Sequence, residues 1–208
     1  MLRQYQEKKK IRKRNWLIRS IDICYSHVLL KFYADENQIA THLTSREKRR
    51  LMSLARKSSG NVFVEIGSYI GASACFIAAG IKRKGSGKLH CIDTWQNQGM
   101  TEGKRDTFAE FKINTAKYKN LIIPQRGDSR KLAKTFIEPI DFLFIDGDHT
   151  YEGVRLDVEA WFPKLNPGAL VLFHDIGWAK GVQQVINEIV RPMAKSEDRL
   201  PNFYWAWL

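Results

Sequence analysis

The chain has 208 residues, of which 44% are hydrophobic, and this is enough to bury the core of one domain. Its nearest approach to a long apolar stretch, residues 16–33, is interrupted by Arg19, Asp22 and Lys31, so no run reaches the roughly 18–20 residues of a membrane span. The net charge of +12 belongs mainly to residues 1–60, with 15 Lys or Arg against 5 Asp or Glu; residues 61–208 carry 19 against 17.

The first forty residues are predicted to form a basic tail and a helical extension, followed by a main domain at 41–208. The run KKKIRKR at 8–14 suits nucleic acid or an anionic membrane surface. We favour a solvated arm instead, because the near-neutral body lacks the basic stripe of a nucleic-acid-binding domain. Residues 15–33 are predicted to be helical, and the region 15–40 is predicted to cover a sheet face, to cap a cofactor site or to mediate a homodimer.

The three cysteines have no metal-binding spacing. Cys75 falls in a helix pattern and Cys91 in a strand pattern, so both are expected to be reduced thiols in the core. The N-terminus lacks a clean apolar segment with a small-residue cleavage site and is not interpreted as a signal peptide. We therefore expect a cytoplasmic protein.

From residue 44 onward, helix and strand patterns alternate. The segment 44–47, Thr-Ser-Arg-Glu, is a capping box and predicts the start of a helix that ends at 58–60. Strands are expected at 61–66, 88–93, 121–125, 140–146 and 168–174, and helices at 71–83, 104–117, 129–136, 151–162 and 181–191. Continuous apolar strands such as IDFLFID are typical of a parallel sheet covered on both faces. The pattern predicts a doubly wound α/β sheet, with the terminal NFYWAWL as an added, antiparallel strand.

The turn after the first strand, within VFVEIGSYIG at 62–71, is the strongest functional signal. Its glycines, Gly67 and Gly71, allow backbone to approach a ligand closely. Dinucleotide sites use G-x-G-x-x-G to seat a pyrophosphate on a helix N-terminus. Here the spacing is G-x-x-x-G, and Glu65 at the strand end would repel a pyrophosphate but attract the ammonium and sulfonium of S-adenosylmethionine. An ordinary strand-to-helix turn with an exposed glutamate is the alternative interpretation.

Polar residues also follow the later strands, where ligands bind in open α/β sheets. Asp93 lies 22 residues after Gly71, a spacing at which an acid can accept hydrogen bonds from ribose hydroxyls. Asp128 and Ser129 follow the third strand and could reach an adenine edge, although Asp128 could equally be only a helix N-cap. The fourth and fifth strands end in five titratable residues: Asp146, Asp148, His149, His174 and Asp175.

So many titratable groups in one region are unfavourable unless they meet water, each other or a cation. Hard divalent cations take oxygen ligands and suit such a cluster. A metal there could polarise a substrate hydroxyl and lower its pKa. The sequence thus indicates either a metal site or an acid–base cluster at the ends of the fourth and fifth strands.

The segments VEIGSYIGAS, CIDTW, GDS and FLFIDGDHTYEGVRLDVEAWFPKLNPGALVLFHD resemble class I S-adenosylmethionine-dependent methyltransferases. The resemblance is closest to the small bacterial O-methyltransferase-like group with a DGDH(S/T)YEGV segment, and it covers roughly residues 42–190. It implies a Rossmann-like, mostly parallel seven-stranded sheet with the cofactor over strands one to four. Tyr69 stands where many relatives have glycine.

The resemblance also implies roles for individual residues. Glu65, Gly67 and Gly71 would hold the methionine end of the cofactor. The full cofactor-binding set that it implies is Glu65, Gly67, Ser68, Gly71, Asp93, Thr94, Asp128, Ser129 and Asp146. Similarity to the catechol-type enzymes implies a metal, with Mg²⁺ expected, at Asp146, His174 and Asp175, although His174-Asp175 replaces an acid–amide pair. The expected catalytic residues are His149 or Asp148 as base, together with Asp146.

The sequence thus favours a methyltransferase that acts on the hydroxyl of a small or sugar-like molecule, with or without a divalent cation. The polar segment 95–105 is predicted to be a loop or lid over that acceptor. Two alternatives remain open. One is an RNA methyltransferase whose basic arm holds phosphate, and the other is a non-catalytic binding module with the same fold.

Overall fold

The computed structural model describes residues 20–96 and 103–208. The basic run at 8–14 and much of the predicted lid at 95–105 lie outside these ranges. Among the helices of residues 20–96 and 103–208, none combines the length and the apolar character that crossing a membrane requires.

The described residues form one seven-stranded sheet flanked by helices. The strands are β1 (Val62–Ile66), β2 (Lys88–Asp93), β3 (Ile122–Arg126), β4 (Ile140–Ile145), β5 (Leu165–His174), β6 (Ser196–Leu200) and β7 (Phe203–Trp207). The helices are α1 (20–30), α2 (Ala34–Gln38), α3 (Ser45–Lys57), α4 (Ala72–Lys84), α5 (Phe108–Asn114), α6 (Ser129–Ala133), α7 (Tyr151–Trp161) and α8 (Lys180–Val185). A 3-10 turn at Lys31–Tyr33 follows α1, and a π-helical turn at Ile186–Val190 follows α8.

The strand order is β3-β2-β1-β4-β5-β7-β6. Strands β1 to β5 are parallel to one another, and β7 is antiparallel to both β5 and β6. This confirms the predicted mostly parallel, doubly wound sheet and the antiparallel final strand. Since the order reverses between β1 and β4, the carboxyl ends of these strands flank the crevice in which such sheets bind ligands.

Both faces of the sheet are covered by apolar packing, which explains the continuous apolar strands. On one face, Leu51 of α3 and Phe76 of α4 join a buried cluster with Phe142 of β4. On the other, Val158 of α7 and Val185 of α8 belong to a second buried cluster.

The helical extension is tied to the body by charge and by packing. The capping box at the start of α3 is present as predicted. Asp22 of α1 forms ion pairs with Arg46, at 2.7 Å, and with Arg49 of α3. Leu30 is 2% exposed and belongs to the first core cluster. The predicted domain boundary near residue 40 stays a prediction.

Several elements differ from the sequence prediction; among them, the helix expected at 129–136 ends at Ala133, and the strand expected at 168–174 begins at Leu165. The helix expected at 104–117 starts only at Phe108, because the Asp106 carboxylate accepts the Phe108 N–H at 2.9 Å in a turn held by Arg126. The helix expected at 181–191 gives way to a π-helical turn after Val185. Strand β6 was not located from the residues, because SEDRL is a polar edge strand without an apolar face.

Candidate functional site

The end of β1 holds a buried acid beside the glycine turn. Glu65 is fully buried, and its Oε2 accepts a hydrogen bond from Ser68 Oγ at 2.6 Å and a long one from Cys91 Sγ at 3.4 Å. Its Oε1 has no hydrogen-bond partner among the described residues. Burial raises the pKa of Glu65 from 4.5 to about 7. The exposed glutamate of the alternative interpretation is therefore not what the structure contains.

The glycine turn brings the ends of β1 and β4 together. Gly67 has a φ of +84°, and a Cβ there would lie 2.3 Å from the carbonyl oxygen of Asp146. Gly71 has a φ of +92°, and its Cβ would lie 2.6 Å from Thr115. Only glycine fits either position, so the turn packs directly against the end of β4 on one side and against Thr115 and Phe111 on the other.

Asp93, at the end of β2, holds the glycine turn and the segment after β2 together through hydrogen bonds. One carboxylate oxygen accepts the backbone N–H of Tyr69 and the other that of Trp95, each at 2.7 Å. The buried Trp95 indole in turn donates to the Tyr69 carbonyl at 2.7 Å. Thr94 beside it is exposed. The ribose contact expected of Asp93 stays a prediction, and the structure adds a positioning role for this residue.

The loop after β3 is a helix cap joined to a buried acid. Asp128 is the N-cap of α6, accepting the Lys131 N–H at 3.1 Å, and also pairs with Arg130 at 2.8 Å. Ser129 donates to Asp157 of α7, an acid that sequence reasoning missed. Burial raises the pKa of Asp157 to about 6. The sequence did contain a signal for Asp157, because it is an acid that falls among the apolar, core-facing positions of α7.

The ends of β4 and β5 bring Asp146, His149 and Asp175 together. One ligand-type atom from each of these residues lies within 4.8 Å of the other two. His149 Nε2 is 2.9 Å from Asp175 Oδ2, and this ion pair raises the pKa of His149 above its usual value. The indole of Trp178 donates to Asp175 Oδ1 at 2.8 Å, and its ring lies 4.9 Å from that of His149.

His174 is placed beneath this group rather than within it. Its side chain is 2% exposed, and its Nδ1 is 3.3 Å from one oxygen each of Asp146 and Asp175. Its Nε2 is 3.8 Å from Glu47 Oε2. Burial lowers the pKa of this imidazole, but the surrounding carboxylates outweigh burial and raise the pKa well above its usual value. His174 therefore acts as a buried cation that balances the acids around it.

The two aspartates respond differently to this environment. Burial raises the pKa of Asp146. Burial also acts to raise the pKa of Asp175, but the contacts with His149 and His174 outweigh it, so the pKa of Asp175 is held far below its usual range. Asp175 is thus the permanently ionised partner in the cluster.

Two further contributors were not identified as site residues from the sequence. Glu47 was recognised only as the capping residue of α3, yet it reaches His174. Asn202, in the turn between β6 and β7, donates to Asp175 Oδ1 at 2.9 Å. The predicted base Asp148, in contrast, is exposed and accepts the Thr150 N–H at 2.7 Å in the turn before α7.

A groove of about 490 Å³ opens next to the cluster. Its walls come from α1, the start of α3 and the turn between β6 and β7. The lining residues are Ile23, His27, Thr44, Ser45, Arg46, Glu47, Leu200, Pro201 and Asn202. Because Glu47 and Asn202 also contact the His174–Asp175 pair, the groove and the cluster share a wall.

A family model described as a methyltransferase domain matches residues 64–176, from β1 to just beyond Asp175. The chain belongs to this methyltransferase-domain family. The match contains Glu65, the glycine turn and the residues that follow β4 and β5. The narrower resemblance to the DGDH group stays a prediction.

Solved structures of methyltransferases share the fold. An O-methyltransferase from Bacillus cereus in complex with SAH aligns with a TM-score of 0.64 and 16% identity, over 88% of this chain and 90% of that one. The O-methyltransferase TomG from Streptomyces achromogenes, in complex with SAM, aligns with a TM-score of 0.59 and 14% identity, over 90% of this chain and 89% of that one. The chain thus has the α/β Rossmann-like methyltransferase fold.

Two curated relatives are both described as uncharacterized proteins. One, from Sinorhizobium fredii, is 34% identical over 123 residues, which are 54% of this chain and 13% of the relative. The other, from Acanthamoeba polyphaga mimivirus, is 29% identical over 139 residues, which are 62% of this chain and 58% of the relative. The chain spans less than two thirds of the length of either one.

Proposed function

We propose that this chain is an S-adenosylmethionine-dependent methyltransferase that acts on a hydroxyl oxygen of a small or sugar-like molecule. The observation that carries this proposal is the unpartnered, buried Oε1 of Glu65 beside the glycine turn. A buried carboxylate oxygen without a donor is unfavourable, and a ligand cation would satisfy it. The ammonium group of S-adenosylmethionine supplies such a cation.

The residues around the crevice fit the rest of this cofactor. Gly67 and Gly71 let the turn pack closely against the end of β4 and against α5, and Asp93 retains lone pairs for ribose hydroxyls. Ser129 and Asp128 lie on the loop where the adenine is expected. When bound, S-adenosylmethionine supplies a methyl group on a positively charged sulfur. The SAH and SAM complexes of the two solved neighbours support this assignment.

His149 is proposed as the base that takes the proton from the acceptor hydroxyl. It is part-exposed, so an acceptor can reach it, and its 2.9 Å ion pair with Asp175 stabilises the imidazolium that forms. Trp178 and Asn202 hold Asp175 in place through hydrogen bonds to its Oδ1. In this arrangement Asp148 stabilises the turn before α7, and His149 is the proposed base.

A divalent cation at the same residues is the metal-assisted version of the proposal. Asp146, His149 and Asp175 offer two oxygens and one nitrogen close enough to share one ion. An imidazole ligand suits a transition metal better than the Mg²⁺ expected from the sequence. His174, buried between carboxylates, would then balance charge beneath the ion instead of ligating it. A cation would supply polarisation of the acceptor hydroxyl.

The groove beside the Asp146–His149–Asp175 cluster is the proposed binding site of the acceptor. Its apolar wall of Ile23, Leu200 and Pro201 and its polar residues His27 and Asn202 suit a small molecule with hydroxyl groups. A cytoplasmic location stays a prediction that the two buried, unpaired cysteines, Cys75 and Cys91, support.

The proposal is tested with methyl-labelled S-adenosylmethionine and a panel of catechols, hydroxybenzoates and nucleotide sugars. We expect label to appear on an acceptor oxygen, with matching release of S-adenosylhomocysteine. Repeating the assay after treatment with EDTA, and then after adding back Mg²⁺ or Mn²⁺, separates the two versions. Loss and recovery of transfer support the cation, and unchanged transfer supports His149 alone. Transfer only to RNA, or only to nitrogen, contradicts the proposed acceptor.

A further inference from the structure

The outer face of α1 carries an exposed apolar stripe. Its members are Ile21, Tyr25 and Val28, with exposed fractions of 60%, 57% and 49%, and Phe32 in the following 3-10 turn, at 78%. Their spacing of four, three and four residues places them within about 60° of one another around the helix, along about 16 Å of its length. Exposed contiguous apolar surface of this kind marks an interaction site on a soluble protein.

The stripe is not the face by which α1 packs on its own body. That inner face carries Asp22, which is paired with Arg46 and Arg49 of α3, and Ser26, which accepts a hydrogen bond from Arg49 at 2.8 Å. Leu30 on the same side is in the core. These contacts fix the orientation of α1, so that the apolar stripe points away from the body of the protein.

The form of the stripe indicates another helix as its partner. A narrow stripe with alternating spacings of three and four residues is the seam of a helix pair, and two copies of the same stripe complement each other. A helix that lies on a membrane needs a broader apolar face with a basic rim. Residues 20–33 contain a single basic Lys or Arg, Lys31, and Asp22 is paired with α3.

The charged residues of the N-terminal sequence are poorly suited to cover the stripe. Residues 1–14 contain seven Lys or Arg and would place charges on an apolar surface. Ile18, three residues before Ile21, continues the spacing of the stripe in the sequence. The basic residues within 1–14 therefore make a poor cover for the stripe.

We propose that a second copy of this chain docks on the outer face of α1, and that the paired stripes form a homodimer. Four side chains from each copy form an interface smaller than the usual ~800 Å² per partner, which is typical of weak dimers. The dimer is therefore expected to dissociate in the micromolar range. This inference is independent of the proposed catalytic activity.

Sedimentation of the full chain over a range of concentrations tests the proposal, with a matched pair of variants. Ile21→Glu places a carboxylate in the seam, whereas Ile137→Glu makes the same change at a residue that is 92% exposed in the loop before β4. We expect Ile21→Glu to raise the dimer dissociation constant by about 100-fold or more, because each copy would bury a charge. Ile137→Glu should leave it unchanged. Circular dichroism confirms that both variants are folded.

Cys24 provides a second readout beside the stripe. It is exposed while Cys75 and Cys91 are buried, so a short bismaleimide should link two copies through Cys24, and Cys24→Ser should abolish the link. A chain that sediments as a monomer at every concentration overturns the proposal, as does a dimer that Ile21→Glu leaves intact. Monomers that float with phosphatidylserine vesicles, and lose this on Ile21→Glu, would assign the stripe to a membrane instead.

Discussion

At the scale of single residues, Glu65 is the most informative side chain, because the ionisation of its carboxyl depends on whether a cationic ligand is bound. Without a cation beside it, burial raises the pKa of its carboxyl to about 7. A cofactor ammonium would favour the ionised form and lower that pKa. Binding should therefore release a proton from Glu65 when the pH is near or below 7.

The first prediction is a pH-dependent affinity for S-adenosylmethionine. If Glu65 must be ionised to bind, affinity should rise about tenfold between pH 6 and pH 8, since the ionised fraction of a group with a pKa near 7 rises by that factor. Calorimetry in buffers of different ionisation enthalpy measures both the affinity and the proton released. An affinity independent of pH over this range would contradict the role given to Glu65.

The second prediction concerns Glu65→Gln, which removes the charge and keeps the shape. The folded pKa of Glu65 lies above its ordinary value of 4.5, so protonation stabilises the fold below pH 4.5 and this contribution is lost as the pH rises through 7. At pH 8 the unliganded wild type carries an ionisation cost on the order of 3 kcal/mol that the variant avoids. Glu65→Gln should therefore raise the free energy of unfolding at pH 8 while weakening cofactor binding. A variant that is less stable than wild type at pH 8 would contradict this account.

The third prediction tests His149 as the base. His149→Ala should lower kcat by about 100-fold or more and change the affinity for S-adenosylmethionine little, because the base acts on the acceptor. Since the pKa of His149 is raised by Asp175, wild-type kcat should fall as the pH drops through a value above 6.5. The control is His42→Ala, at an exposed residue outside the groove and the cluster. Equal losses in the two variants would remove His149 from the mechanism.

The residues that could be found from the sequence are those that follow a strand directly. Asp146, His149, His174 and Asp175 were grouped because parallel strands end at one edge of a sheet. Glu47 and Asn202 were not grouped with them. Glu47 lies at the start of a helix and Asn202 in a turn, and only tertiary packing brings these two elements next to the site. The division of roles between His149 and His174 also needed coordinates, since both follow a strand end and only burial separates them.

At the scale of elements, the contact between the ends of β1 and β4 decides whether the crevice forms. Gly67→Ala would place a methyl group 2.3 Å from the Asp146 carbonyl oxygen at a φ of +84°, and we expect a loss of about 3 kcal/mol or more. Gly85→Ala is the matched control: its φ is +97°, but no atom lies within 4 Å of the added Cβ. It should lose only about 1–2 kcal/mol from backbone strain. Urea unfolding measures both, and equal losses would show that the close approach has no energetic importance.

Element prediction succeeded where the pattern was apolar and failed where local polar contacts decide. Four of the five parallel strands, β1, β2, β4 and β5, are buried over most of their length, and all five were located from their apolar residues. The start of α5 is set by the Asp106 carboxylate and its partner Arg126, which lie 20 residues apart, and β6 gains its partner only from β7. Neither relation leaves a periodic signal in the sequence.

At the scale of the whole molecule, the region proposed to bind the cofactor and the region proposed to bind the acceptor lie at the ends of different strands. The ends of β1, β2 and β3 form the crevice proposed for the cofactor. The ends of β4 and β5 carry the Asp146–His149–Asp175 cluster, and the β6–β7 turn lines the groove proposed for the acceptor. Residues of α1 and α3 line this groove, so the helical extension both forms part of the groove and presents the exposed stripe. The alternation of patterns predicted the fold class, and the family resemblance implied seven strands. The strand order was not predicted, because the pairing of strands that are distant in the chain leaves no local pattern in the sequence.

The most direct test of this account is a calorimetric titration of the full chain with S-adenosylmethionine at pH 8, with NAD and Glu65→Gln as the two controls. We predict one site per chain with micromolar affinity for S-adenosylmethionine, no heat with NAD, and at least tenfold weaker binding in the variant. Binding of NAD, or no binding of S-adenosylmethionine at millimolar concentration, would contradict the assignment of the crevice to a cationic methyl donor.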